Sequence, residues 1–177
     1  MAIRTILHYP DPRLREPGKP ITEVTDEIRK LIEDMAETMY AAPGVGLAAT
    51  QIGEPIRLFI IDLATEDEPS ELRVFINPEI IRTEGTQTWT EGCLSFPGVS
   101  EDVESATEVT VRALDENGEP FELTADGLLA VAIQHEHDHL EGKLMIDRLG
   151  ILKRRIVHRK MVKRDKDGKN RRASASA

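Results

Sequence analysis

The stretch L-L-A-V-A-I-Q-H-E-H-D-H-L-E-G, residues 128–142, decides the architecture because its two halves make opposite demands. The first six residues are apolar on every side of a helix, a pattern that belongs to a buried helix. The second half packs three histidines and three acids into the same rod. Enclosing such groups costs on the order of a few kcal/mol each unless they are paired or ligated. Gly142 stands where the helix must stop. The pattern predicts a central helix from about Ala125 to Glu141, with its polar end held inside the domain.

Strands are predicted around that helix. R-L-F-I-I-D-L (57–63), R-V-F-I-N-P (73–78) and T-Q-T-W-T-E (86–91) are short and rich in β-branched and aromatic residues. E-V-T-V-R-A-L (108–114) alternates, with Val109, Val111 and Ala113 on one face, and Asn117-Gly118 reads as a tight turn into F-E-L-T. An earlier helix, about Asp26 to Tyr40, gathers Ile28, Leu31, Ile32, Met35, Met39 and Tyr40 on one face before Pro43 and Gly44 stop it. H-Y-P-D-P-R-L-R-E-P-G-K-P carries four prolines and reads as an extended or looping arm. A basic helix, about 151–163, follows Gly150, and residues 164–177 are expected to be a disordered basic tail. The fold class is α+β: antiparallel strands around a central buried helix carrying H-E-x-x-H, then a C-terminal helix, one domain over residues 1–163.

The chain as a whole fits that reading. Its 177 residues suit one core, and 40% hydrophobic with 31% charged residues is ordinary for a soluble domain. No apolar run approaches the ~20 residues of a membrane span, and no basic segment followed by an apolar stretch opens the chain. A cytoplasmic protein is expected, with no membrane and no specific DNA partner. The single cysteine, Cys93, rules out an intrachain disulfide. The net charge of -9 divides into -18 over residues 1–152 and +9 over residues 153–177. Such asymmetry suits either a solvated terminal helix or a polyanionic partner.

The polar half of the central helix points to metal chemistry. His135-Glu136-x-x-His139 is an H-E-x-x-H pattern on a helix. Positions four apart differ by only ~40° around the axis, so both imidazoles leave the same face, whereas His137 lies ~200° round from His135 and points away. Asp138, beside the ligand face, reads as a structural acid. Glu136 can take a proton from an activated water and return it to a leaving group. A catalytic centre needs a third protein ligand and one open position. The metzincin continuation H-E-x-x-H-x-x-G-x-x-H fails, because Met145 stands where the third histidine belongs. No glutamate follows Glu141, which itself points off the ligand face. The best remaining candidate is upstream: Cys93, in the glycine- and proline-bracketed loop E-G-C-L-S-F-P-G. P-G-V-G-L-A-A-T-Q-I-G (43–53) superficially fits a dinucleotide fingerprint, but a helix precedes it where a strand is required, so nucleotide binding is rejected. Its glycines can still lie against a ligand, with Gln51 as a neutral amide donor.

Three separated segments together resemble the peptide deformylase family. The family's motifs take the forms G-x-G-x-A-A-x-Q, E-G-C-x-S and H-E-x-D-H, and this sequence has G-V-G-L-A-A-T-Q (44–51), E-G-C-L-S (91–95) and H-E-H-D-H (135–139) in that order. The early P-D-P-R-L-R also resembles the family's amino-terminal arm, and the likeness spans about residues 5–150. The resemblance implies a hydrolase that removes the formyl group from the N-formylmethionine of new polypeptides and releases formate. It implies that Cys93, His135 and His139 bind one divalent metal ion, Fe(II) natively, with nickel, cobalt or zinc as substitutes and water as the fourth ligand. Glu136 would be the general base and acid, and the Gln51 side chain and the Leu94 backbone N–H would stabilise the oxyanion. Val45, Trp89, Leu94, Leu128, Val131 and Ala132 would form the methionine pocket. Gly44 and Gly46 would lie along the substrate backbone as an added strand does, and Glu91 and Gly92 belong to the same substrate-binding set. The basic C-terminal helix would suit contact with ribosomal RNA phosphates. One departure stands out. Many bacterial members carry an arginine a dozen residues after the cysteine, where this chain has Ser105.

Two rival readings make different demands. A peptidase using the same helix would give no role to Cys93 or Gln51. A non-catalytic, metal-holding module on the ribosome would have no need of Glu136.

Overall fold

The structure is a computed structural model that describes residues 2–175. Among the described residues there are seven strands and three α-helices. The first helix, α1 (Asp26–Ala41), starts at Thr25, whose hydroxyl accepts from the Ile28 N–H at 3.3 Å. β1 (Gly46–Ala48), β2 (Leu58–Ile61), β3 (Arg73–Glu84), β6 (Glu108–Leu114) and β7 (Pro120–Asp126) form one antiparallel sheet in the order β1-β2-β3-β6-β7. β4 (Gln87–Gly92) and β5 (Ser100–Ser105) form a separate two-stranded antiparallel ribbon. Helix α2 (Gly127–Leu140) and helix α3 (Ile151–Ala175) complete the chain.

Helices cover both faces of the sheet, which explains why β2 is apolar at every position. Phe59 and Ile61 point toward α2 and meet Phe75, Val109, Val111, Ala130 and Ile133. Leu58 and Ile60 point the other way and meet Leu31, Ile32, Met35 and Met39 of α1. Phe59 and Phe75 sit directly opposite on neighbouring strands, their rings stacked 4.7 Å apart. A third core packs Leu7 and Leu14 of the arm with Phe96, Val99, Val103, Leu149, Val157 and Met161.

The predicted α+β arrangement around a central buried helix holds. Gly142 ends α2 with φ +74° and its N–H on the His139 carbonyl at 3.1 Å. A side chain there would also strike the Arg15 carbonyl, 2.5 Å from its Cβ position, so the glycine lets the arm cross. Asn117-Gly118 does form the turn between β6 and β7, with Gly118 at φ +78°. The arm is pinned across the molecule: the Leu7 N–H donates to the Gln51 carbonyl at 2.7 Å and the Tyr9 N–H to the Ser95 carbonyl at 2.9 Å.

Several expectations are corrected. β3 continues past Pro78 to Glu84, because register shifts between Ile76 and Glu79 and between Ile80 and Arg82 carry the chain through positions without regular pairing. Leu128 is 43% exposed rather than enclosed, since the start of α2 opens onto a cavity. α3 extends to Ala175, beyond residue 163, where a disordered tail was expected. Its lysines and arginines are good helix formers, and Lys169 pairs with Asp165 one turn away at 3.0 Å. Residues 176 and 177 of that expected tail lie outside the described residues. No helix among the described residues is long and apolar enough to cross a membrane.

Candidate active site

Three elements converge on a cavity of about 710 Å³. β1 and the 3-10 turn that follows it (Ala49–Ile52) bring in Gly44 to Gln51. The end of β4 and the loop after it bring in Glu91 to Ser95. The last two turns of α2 bring in His135 and Glu136, with His139 packed beside His135.

The donor atoms of Cys93, His135 and His139 all lie within 4.8 Å of one another. Cys93 Sγ is 3.5 Å from His139 Nε2, which is 3.3 Å from His135 Nε2. Cys93 and His135 are half-buried and His139 is buried. The i, i+4 reading therefore holds, and so does the exclusion of His137, whose ring faces Glu141 at 3.7 Å and Arg57 at 3.5 Å on the opposite side.

This set suits a divalent cation. One soft thiolate and two imidazole nitrogens are the donors that bind borderline-soft transition metals. Burial, with the nearby His135 charge adding to it, holds His139 well below the ordinary histidine range, so it stays neutral as a ligand must. Burial also opposes a charge on His135, but Cys93 and then Glu91 and Glu136 outweigh it and raise that ring well above its ordinary value.

Glu136 is buried, and its Oε2 has no hydrogen-bond partner among the described residues. Burial, offset by His135 and reinforced by Glu91 and Asp138, pushes its pKa up to about 7. A carboxyl tuned to that range can both accept and return a proton near neutrality. Gly46 makes room for it, since a Cβ at that position would sit 2.8 Å from Glu136 Oε1.

Gln51 is fully buried, and its amide is fixed from both ends. Its Oε1 accepts from the Ala48 N–H at 2.9 Å, while Nε2 donates to Ser95 Oγ at 3.0 Å and faces Cys93 Sγ at 3.7 Å. This orientation turns the donor end toward Cys93.

The residues expected to meet substrate all line the same cavity: Gly44, Val45, Gly46, Trp89, Glu91, Gly92, Leu94, Leu128, Val131 and Ala132. Glu91 does something more specific than was expected of it. Its carboxylate lies 3.1 Å from His135 Nδ1, behind the ring. Ser95 and Arg148 were missed in the sequence. Ser95 stands inside E-G-C-L-S, a motif position that could have signalled it. Arg148 lies outside every motif, yet it holds Asp138 through two hydrogen bonds.

The profile described as Polypeptide deformylase matches residues 3–155 of this chain. The chain belongs to the peptide deformylase family. It is 57% identical over 164 residues to the peptide deformylase of Azotobacter vinelandii, covering 92% of this chain and 96% of that protein. It is 54% identical to the one from Alkalilimnicola ehrlichii, covering 96% and 94%. Among solved structures, the peptide deformylase from Legionella pneumophila superposes with a TM-score of 0.87 at 48% identity, covering 93% of this chain and 96% of that one. The Ehrlichia chaffeensis enzyme in complex with actinonin gives 0.88 at 35%, covering 93% and 98%. As a peptide deformylase the chain is a metal-dependent hydrolase that removes the formyl group from the N-terminal methionine of nascent polypeptides.

Proposed function

We propose that Cys93, His135 and His139 hold one divalent ion and that deformylation proceeds at the cavity end where they converge. The observation that carries this reading is the closeness of the three donor atoms, within 4.8 Å, beside a buried glutamate with a partnerless oxygen. An ion held there would supply Lewis-acid polarisation of the formyl carbonyl and activation of the attacking water.

The chain's own residues do the rest. The apolar wall of Val45, Trp89, Leu128, Val131 and Ala132 receives the methionine side chain and excludes water from it. Gly44 and Gly46 let the substrate backbone approach β1 as an added strand. Gln51 Nε2 and the Leu94 N–H donate to the developing charge on the formyl oxygen, each such donor being worth about 3 kcal/mol in related chemistry. Glu136 takes the proton of the attacking water and delivers it to the methionine nitrogen as the C–N bond breaks. The products are formate and a free α-amine.

Fe(II) is the proposed native ion, with nickel, cobalt or zinc able to replace it in the same mixed sulfur and nitrogen set. The catalytic unit is one domain through about residue 163, since Val157 and Met161 are the last core residues among the described residues. Past them α3 exposes Lys163, Arg164, Lys166 and Lys169, a basic face suited to ribosomal RNA, in a cytoplasmic setting.

Formate release from a formyl-Met-Ala-Ser peptide by anaerobically prepared Ni(II)- or Fe(II)-loaded protein tests the reading. Release from the formyl peptide and not from its acetylated counterpart is expected. No release by protein carrying one equivalent of metal would contradict it.

A further inference from the structure

The acid of the H-E-x-D-H segment, Asp138, does not line the cavity. Its carboxylate turns to Arg148, at the end of the 3-10 turn Met145–Arg148. Arg148 Nε donates to Oδ2 at 2.5 Å and Nη2 to Oδ1 at 3.1 Å. This is the forked geometry that makes arginine pairs strong and directional. Nη1 reaches further, to the Glu104 carbonyl on β5 at 3.4 Å. The guanidinium also lies within the field of Glu91, which helps hold it charged after the bond to Asp138 itself.

Glu91 and Asp138 flank the ligand set. Glu91 is on β4, two residues before Cys93, and its carboxylate accepts from His135. Asp138 is on α2, between His135 and His139. Their side chains are only 9% and 14% exposed. Two carboxylates so enclosed repel one another unless a cation lies between the elements that carry them. Ser105 gives no such charge. It is buried on β5 with its hydroxyl partnerless among the described residues.

We propose that Arg148 is a positioning residue of the metal centre, tying α2 to the β4–β5 ribbon and balancing Glu91 and Asp138 so that Cys93, His135 and His139 keep their convergence. The proposal rests on the ligand set proposed above. It also resolves the departure at Ser105, because the missing positive charge arrives from a different element.

The test starts from cobalt(II)-loaded protein and follows the thiolate-to-cobalt absorbance against a competing chelator. Arg148→Gln should raise the apparent Kd about 10- to 100-fold, the usual effect of removing a group that orients metal ligands. Arg148→Lys keeps the charge but loses the fork, so it should weaken binding severalfold. Arg15→Gln is the control. Arg15 pairs with Asp147 on the same 3-10 turn without touching Asp138 or Glu91, so its loss should leave the Kd unchanged. An Arg148→Gln Kd equal to that of the unsubstituted protein overturns the proposal. So does an Arg15→Gln loss as large as that of Arg148→Gln. If Arg148→Gln does not fold, Arg148→Lys decides, and an unchanged Kd overturns the proposal. Failure of the ligand set looks different: with Cys93 the single cysteine, the unsubstituted protein would then show no thiolate-to-cobalt band, and Cys93→Ser would leave the cobalt affinity unchanged.

Discussion

The Glu91 carboxylate accepts a hydrogen bond from His135 Nδ1 at 3.1 Å, and this fixes which nitrogen of the ring faces the site. An ionised carboxylate only accepts, so Nδ1 carries the proton and Nε2 is left as the metal-facing atom, 3.3 Å from His139 Nε2. The end of β4 and the residue after it therefore bring together the proposed ligand Cys93 and the group that aims the His135 ring. Glu91→Ala should lower metal affinity about 10- to 100-fold with the fold intact. Metal content after dialysis against a chelator, read beside the circular dichroism spectrum, checks it. Full retention of metal would mean that the ring is oriented by something else.

Gly46 is required by Glu136 rather than by its own backbone. A Cβ there meets Glu136 Oε1 at 2.8 Å, so Gly46→Ala must displace the carboxylate. Misplacing a reacting group by about an ångström costs on the order of 100-fold in rate. The kcat of Gly46→Ala should fall by roughly that factor while bound metal stays at the level of the unsubstituted protein.

Ile133 is fully buried where α2 meets the sheet. Ile133→Ala should destabilise the protein by about 2–5 kcal/mol, the range for such cavities. Chemical denaturation with and without metal measures it, and a loss below about 1 kcal/mol would contradict the packing described.

Asp62 makes a pH-dependent contribution to stability and is not one of the three clustered donors. Burial alone would raise its pKa. The Tyr40 hydroxyl at 2.6 Å, the Ala64 N–H at 2.9 Å and the Ser70 hydroxyl at 2.8 Å prevail and lower it. The folded value lies below the unfolded one, so the stabilisation is complete above the ordinary carboxylate range and is lost as pH falls through the folded value. Asp62→Asn should lower the Tm at neutral pH, and the gap should close below about pH 4. A gap that stays constant down to acid pH would show that the charge contributes nothing.

Much of this was legible because α2 carries two signals at once. Its apolar half announces burial, and its i, i+4 histidines announce a shared face. β6 was equally plain, since Val109, Val111 and Ala113 alternate toward one core. β5 was not, because S-E-D-V-E-S puts only Val103 into an apolar core, its other buried residue being the polar Ser105. β1 is three residues long, too short for any period to register. The helical extension of α3 was hidden by a composition that reads as disorder. Arg148 could not be read at all, because its partners come from α2 and β5 and meet only in three dimensions.

The most direct measurement is formate release from formyl-Met-Ala-Ser by Glu136→Gln and unsubstituted protein at matched metal content. Gln keeps the size of the side chain but cannot carry the proton from water to the amine. A kcat reduced about 10²- to 10⁴-fold, with KM and bound metal little changed, is the predicted result. A Glu136→Gln protein that releases formate at the unsubstituted rate would contradict the account.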